Sequence, residues 1–129
     1  MNKFFTATCL GLALFTGGTA WSGGILGTHH DAVQKGMRQH IEELIELNGN
    51  GKYPMFDPET RSLVQLEFKH LHDSVELKGR TNQYFVSCAD FVAPDGTLYD
   101  LDFFLSMKHG VVSVLIHAKD GKKTPYDVH

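Results

Sequence analysis

Residues 82–119, NQYFVSCADFVAPDGTLYDLDFFLSMKHGVVSVLIHAK, decide the fold. Apolar and polar residues alternate through 82–92, 97–107 and 111–119, and Pro94-Asp95-Gly96 and Lys108-His109-Gly110 break the alternation at regular intervals. A period of two marks strands with one buried face, and short connections ending in Gly mark hairpins with Gly in the left-handed position. Pairing Ala93 with Thr97 sets Phe91 opposite Tyr99, Ala89 opposite Leu101 and Ser87 opposite Phe103. Pairing Met107 with Val111 sets Leu101 opposite His117 and Phe103 opposite Leu115. Upstream, 62–78 reads as one more strand, turning at Gly79-Arg80 and setting His72 opposite Ser87, His70 opposite Ala89 and Phe68 opposite Phe91; Asp73 is the candidate bulge.

Before this block, Val33, Met37, Ile41, Leu44 and Ile45 recur at helical spacing, Asp31 with Gln34 reads as an N-cap pair, and Asn48-Gly49-Asn50-Gly51 is the stop. The spacing predicts a helix over 31–48 with His40 on or near its buried stripe. Gly36 inside it lowers helix propensity by about 1 kcal/mol, which points to a close approach by another segment. Residues 49–61, with two Pro and several turn formers, read as a loop. The fold class expected is α+β, with one N-terminal helix packed on a four-stranded antiparallel β-meander. That architecture resembles the cystatin-like and NTF2-like group of folds over 31–119. A protease-inhibiting cystatin would carry Gln-x-Val-x-Gly, which Gln83-Tyr84-Phe85-Val86-Ser87 does not match. NTF2-like pockets serve enzymes and binding modules alike, so the resemblance selects no activity.

The first twenty residues, MNKFFTATCLGLALFTGGTA, carry one Lys, an apolar run from Phe4 to Phe15 and small residues before Trp21. This is the three-part pattern of a secretory signal peptide, too short in its apolar run to span a bilayer. The expected organisation is 1–20 signal peptide, 21–30 flexible Gly-rich leader and 31–129 a single domain. The protein is expected to be exported, to the periplasm first and the extracellular medium second, with no membrane anchor in the mature form. Loss of Lys3 makes the formal net charge of −3 one unit more negative. No basic stripe remains for phosphates, which argues against a nucleic-acid partner. Cys88 is left as the sole cysteine, so no internal disulfide forms.

Two constellations carry the candidate chemistry. On the registers above, His40, His70, His72, Tyr99 and His117 share the helix-facing side, where they would line a cavity for a small ligand. His70 and His72 alternate on one strand and project to one side about 7 Å apart, the spacing of a His-x-His chelate for a divalent transition metal. The opposite face carries Asp90, Asp100 and Asp102 at one end, with Asp90 facing Asp100 and Cys88 facing Asp102, and Phe104, Val112, Val114 and Ile116 at the other. Like charges opposite each other call for a counter-ion, and Lys69 is the expected one. The apolar end would be uncovered in a monomer, so a homodimer or another exported protein is expected to dock on this surface; the alternative is that the leader and the tail KKTPYDVH fold over it. Carboxylates beside Cys88 disfavour its thiolate, so it is not expected to be a nucleophile. No catalytic motif is present among those with a fixed spacing.

The function expected is an exported, non-catalytic binding protein with a His-lined cavity for a small ligand or a metal ion. The alternatives are a small NTF2-like enzyme in which a cavity His acts as general base, and a docking protein for another exported protein.

Overall fold

The computed structural model describes residues 19–124 and Tyr126, with side chains from residue 27 onward. Helix α1 spans Thr19–Asn48 and is followed by β1 (Tyr53–Asp57), β2 (Ser62–Leu71), β3 (Glu76–Lys78), β4 (Tyr84–Val92), β5 (Leu98–Leu105), β6 (Val111–Lys119) and β7 (Lys122–Lys123). The strands form one antiparallel sheet in the order β1-β2-β4-β5-β6-β7, with β3 pairing β4 beside the end of β2. The four-stranded meander is therefore incorrect, although the class remains α+β. Part of the expected loop is strand β1, which forms a hairpin with the first half of β2 through pairs from Tyr53 with Leu66 to Asp57 with Ser62. The expected strand 62–78 is broken into β2 and β3. The likeness to cystatin-like and NTF2-like folds, which rested on the four-stranded arrangement, falls with it. The expected signal peptide lies almost wholly outside the described residues. No helix among the described residues is long and apolar enough to cross a membrane.

Helix α1 forms where its apolar stripe can be buried. Val33, Met37 and Ile41 are buried against a core of Tyr53, Leu66, Phe85, Ala89, Phe91, Leu101, Phe103, Leu105 and Ile116, and Leu44 and Ile45 extend the contact. Full burial of one such side chain contributes about 2 kcal/mol, and no strong intrinsic helix propensity is then required. The helix begins well before residue 31 and runs through the expected leader, despite the glycines there. Two histidines hold its early part against the sheet: His29 Nδ1 lies 2.7 Å from His109 Nε2, and His30 Nε2 donates to the Asp73 carbonyl at 2.7 Å. Gln34, now mid-helix rather than a cap, donates to the His72 carbonyl at 2.6 Å. At the other end Gly49 takes a φ of 81° and donates its N–H to Ile45 O at 3.2 Å, which terminates the helix in the left-handed conformation.

The β4–β5 hairpin has the expected register throughout, from Ala93 N–H bonded to Thr97 O to Phe85 opposite Leu105. The neighbouring pairings do not. Between β2 and β4 the register shifts at Lys69: Phe68 faces Phe91, but His70 faces Asp90 and Leu71 faces Ala89. Between β5 and β6 it shifts twice, so that Asp100 faces Ala118, Leu101 faces Ile116 and Leu105 faces Val111, leaving His117 and Val112 as extra residues. An extra residue in a strand turns every side chain beyond it to the other face. In the β5–β6 turn the left-handed position is taken by His109, with a φ of 72°, rather than by Gly110. His109 is held there by stacking on Phe85 with centroids 5.7 Å apart, and its carbonyl lies over Gly36.

Candidate functional site

The bulges reassign both expected constellations. His70 and His72 leave the helix side for the opposite face, and His117 joins them; Val114 and Ile116 go the other way, into or against the core. The expected cavity of His40, His70, His72, Tyr99 and His117 therefore does not exist as one group. His40 remains on the helix side, bonded to the Tyr53 hydroxyl at 3.0 Å and edge-on to Phe103. Burial lowers its pKa, so the ring is neutral around neutral pH. Tyr99 is buried and donates to Asp57 Oδ2 at 2.7 Å. Its hydroxyl pKa is pushed up to about 12, by burial and by the Asp57 carboxylate that accepts its proton.

The expected interaction surface is also divided. Asp90, Asp100 and Asp102 stay together on the outer face. Phe104 shares it, but is buried and meets Tyr84 and Tyr126 edge-on, with centroids 6.2 and 5.8 Å away. Val112 alone of the expected apolar residues is exposed. With Val114 and Ile116 turned inward and Tyr126 packed on Phe104, the uncovered apolar patch that called for a homodimer is absent among the described residues.

What the face presents is a row of polar side chains across four strands: His70 and His72 from β2 and its end, Cys88 and Asp90 from β4, Asp100 and Asp102 from β5, and His117 from β6. Asp90 sits between two imidazoles. His72 Nε2 is 2.8 Å from Asp90 Oδ1 and His70 Nε2 is 3.1 Å from Asp90 Oδ2, and the two rings stack with centroids 5.9 Å apart. Lys69, the expected counter-ion, lies 3.5 Å from Glu67 instead. Burial alone would raise the Asp90 carboxyl, but the bond from His72 and the charges of His72 and His70 outweigh it and hold the group below the usual carboxylate range. His72 is raised in return, chiefly by its bond to Asp90 and against the effect of burial. The backbone of His72 is fixed from two sides: its N–H bonds to Cys88 O at 2.8 Å and its carbonyl takes the Gln34 amide.

The other half of the row centres on Asp102, which is 2% exposed. Its Oδ1 accepts from the Cys88 thiol at 2.8 Å, and its Oδ2 is bonded to His117 Nδ1 at 3.1 Å and accepts from the Tyr126 hydroxyl. Cys88 is driven far toward the thiol form by burial first and by Asp102 second. Between the halves, Asp100 has its carboxyl raised, mainly by burial, and its Oδ1 is buried without a hydrogen-bond partner among the described residues. A buried acceptor left unpaired in this way costs about 1–3 kcal/mol.

A groove of about 700 Å³ opens beside this row, with His70, His72, Asp90 and Asp100 on its wall and Leu98 and Ala118 among its apolar lining. Two imidazoles, a thiol and carboxylates form a donor set for a divalent ion of borderline softness such as Zn²⁺, not for Ca²⁺ or Mg²⁺, which take oxygen ligands. Two overlapping groups have their donor atoms within 4.8 Å of one another: His70, His72 and Asp90, and His72, Cys88 and Asp100.

Sequence reasoning missed Asp57: placed within the loop 49–61, it is fully buried at the end of β1 and takes Lys119 Nζ at 2.7 Å besides Tyr99. Tyr126 belongs to the tail KKTPYDVH, the alternative cover read for this face, and it packs on Phe104. The bulges did leave a trace: an unbroken register puts His70, His72 and His117 inside and Val114 and Ile116 outside, against the polarity of all five. No family model, curated protein or solved structure matches the chain.

Proposed function

We propose that this is an exported binding protein that holds one divalent transition-metal ion through His70, His72 and Asp90. The observation that carries the reading is the placement of both imidazole Nε2 atoms within 3.1 Å of the two Asp90 oxygens, on a half-exposed face beside a groove. Without an ion the carboxylate serves as the hydrogen-bond partner of both rings; with one, the same three side chains offer an N₂O set and leave open positions toward the groove. His72 is the best-positioned ligand, since helix α1 and strand β4 hold its backbone. The signal-like N-terminus supports the exported part of this reading.

The test is native mass spectrometry of the protein recovered from the periplasm, followed by calorimetric titration with Zn²⁺. One ion per chain is expected, with His72→Ala and Asp90→Asn each weakening binding by at least about tenfold, the range seen when a ligand or its support is lost. A chain that is isolated metal-free and takes up no Zn²⁺ overturns the proposal. The same spectrum reads the mature N-terminus and tests export independently.

A further inference from the structure

We infer that Cys88 and Asp100 complete the coordination of the ion held by His72, giving the site a thiolate ligand and a preference for thiophilic ions over hard ones. The inference rests on the metal reading above and extends it to the ligand set and the ion class. Three observations lead to it. His72 belongs to both groups of donors, and its group with Cys88 and Asp100 brings a nitrogen, a sulfur and an oxygen together. Cys88 and Asp100 are diagonal neighbours on β4 and β5, since Cys88 faces Asp102 and Asp90 faces Asp100. Asp100 Oδ1 is buried and unpartnered, an acceptor left open on the inner side of His72.

The geometry is permissive. Zinc-type bonds of about 2.0–2.3 Å place tetrahedral donor atoms roughly 3.3–3.8 Å apart. The donors of His72, Cys88 and Asp100 lie within 4.8 Å of one another, so side-chain rotations moving each by less than about 1 Å bring these three to bonding distance of one ion. Binding requires the Cys88 thiol to give up its proton, and a route is present: Sγ already donates to Asp102 Oδ1. The proton passes to that carboxylate, the sulfur lone pair goes to the ion, and no oxidant or reductant takes part. A sulfur ligand favours Zn²⁺, Co²⁺ and Cd²⁺ and gives Mg²⁺ or Ca²⁺ nothing.

The experiment is titration with Co²⁺ of the full chain carrying Cys9→Ser, so that Cys88 is its only thiol. Metal retained after desalting is measured by elemental analysis, and sulfur ligation by a thiolate-to-cobalt charge-transfer band in the near ultraviolet. Retention of one ion with the band present, and loss of the band in Cys88→Ser, is the expected result. Retention without the band overturns this inference and leaves the metal reading standing; failure to retain any ion overturns both. Because Cys88→Ser can disturb the fold, X-ray absorption at the zinc edge of the zinc-loaded chain gives a second measurement that needs no substitution at this residue. A sulfur scatterer at about 2.3 Å from the ion is expected, and a first shell of nitrogen and oxygen alone overturns the inference.

Discussion

Asp57 keeps its charge although it is fully buried. Its carboxylate is buried and is held by the Lys119 ammonium, the Tyr99 hydroxyl and the Glu59 N–H, at 2.7, 2.7 and 2.9 Å. Burial works against the charge, but these donors outweigh it and keep the carboxyl below its usual range. A depressed carboxyl contributes stability that is complete above the unfolded value of about 3.9 and is lost as the pH falls through the folded value. Asp57→Asn should therefore destabilise the domain by about 3 kcal/mol at pH 7, because the Lys119 ammonium loses the buried charge it is paired with. The penalty should shrink as the pH falls below about 3.9 toward the lower folded value, where the folded wild type loses the same charge. Urea unfolding at several pH values reads both effects, and a penalty independent of pH would show that the network acts by shape alone. His40 adds a milder dependence of the same sign: its pKa is lowered by burial, so its contribution is complete above about 6.5 and declines as the pH falls from there toward the folded value. None of this was readable beforehand. The partners of Asp57 lie 42 and 62 positions away, and a lone Asp before a Pro gives the signal of a turn.

At the scale of elements, helix α1 and the β5–β6 turn test each other. Ala exceeds Gly in helix propensity by about 1 kcal/mol, so Gly36→Ala would stabilise a helix free of neighbours. Here a Cβ would collide with the His109 carbonyl oxygen and meet Leu105 Cδ2 at 3.1 Å. The net effect expected is a loss of about 1–3 kcal/mol, seen as a lower urea midpoint; a gain would mean that the helix does not approach the turn. This close approach was legible, because a glycine in a helix is a departure from propensity that requires a reason. The bulge at Lys69 was not, because two-residue alternation fixes the period of a strand and not where it slips. Deleting Lys69 removes the extra residue and forces either Leu66 and Phe68 outward or His70 and His72 inward. The deletion should cost more than about 2 kcal/mol and abolish Zn²⁺ uptake, whereas Lys69→Ala keeps the bulge and should stay within about 0.5 kcal/mol of the parent. Parallel denaturation and titration of the two variants separates the role of the backbone insertion from that of the side chain.

At the scale of the whole molecule, the sheet acquires two different faces although its strands read as similar. The central β4–β5 register was legible because one Pro-Asp-Gly turn fixes it and no bulge intervenes; the pairings on either side, β2 with β4 and β5 with β6, slip at positions that only the polarity of the misplaced residues betrays. The slips reconcile the polarity of both faces, sending Val114 and Ile116 to the core and assembling the His, Asp and Cys row outside. The remaining apolar surface near Phe104 is covered from within the chain. β7 pairs with the end of β6, Thr124 N–H bonds to His117 O at 2.8 Å, and Tyr126 reaches across to Phe104 and Asp102. Tyr126→Ala removes an aromatic cover from Phe104 and a donor from a buried carboxylate together. It should lower stability by about 2 kcal/mol, and the uncovered aromatic surface should promote concentration-dependent self-association in sedimentation velocity. Tyr126→Phe keeps the cover and loses only the donor, so it should sediment as the parent does, at reduced stability. If both variants sediment as the parent does and unfold at the same urea concentration, the tail is not what closes this face.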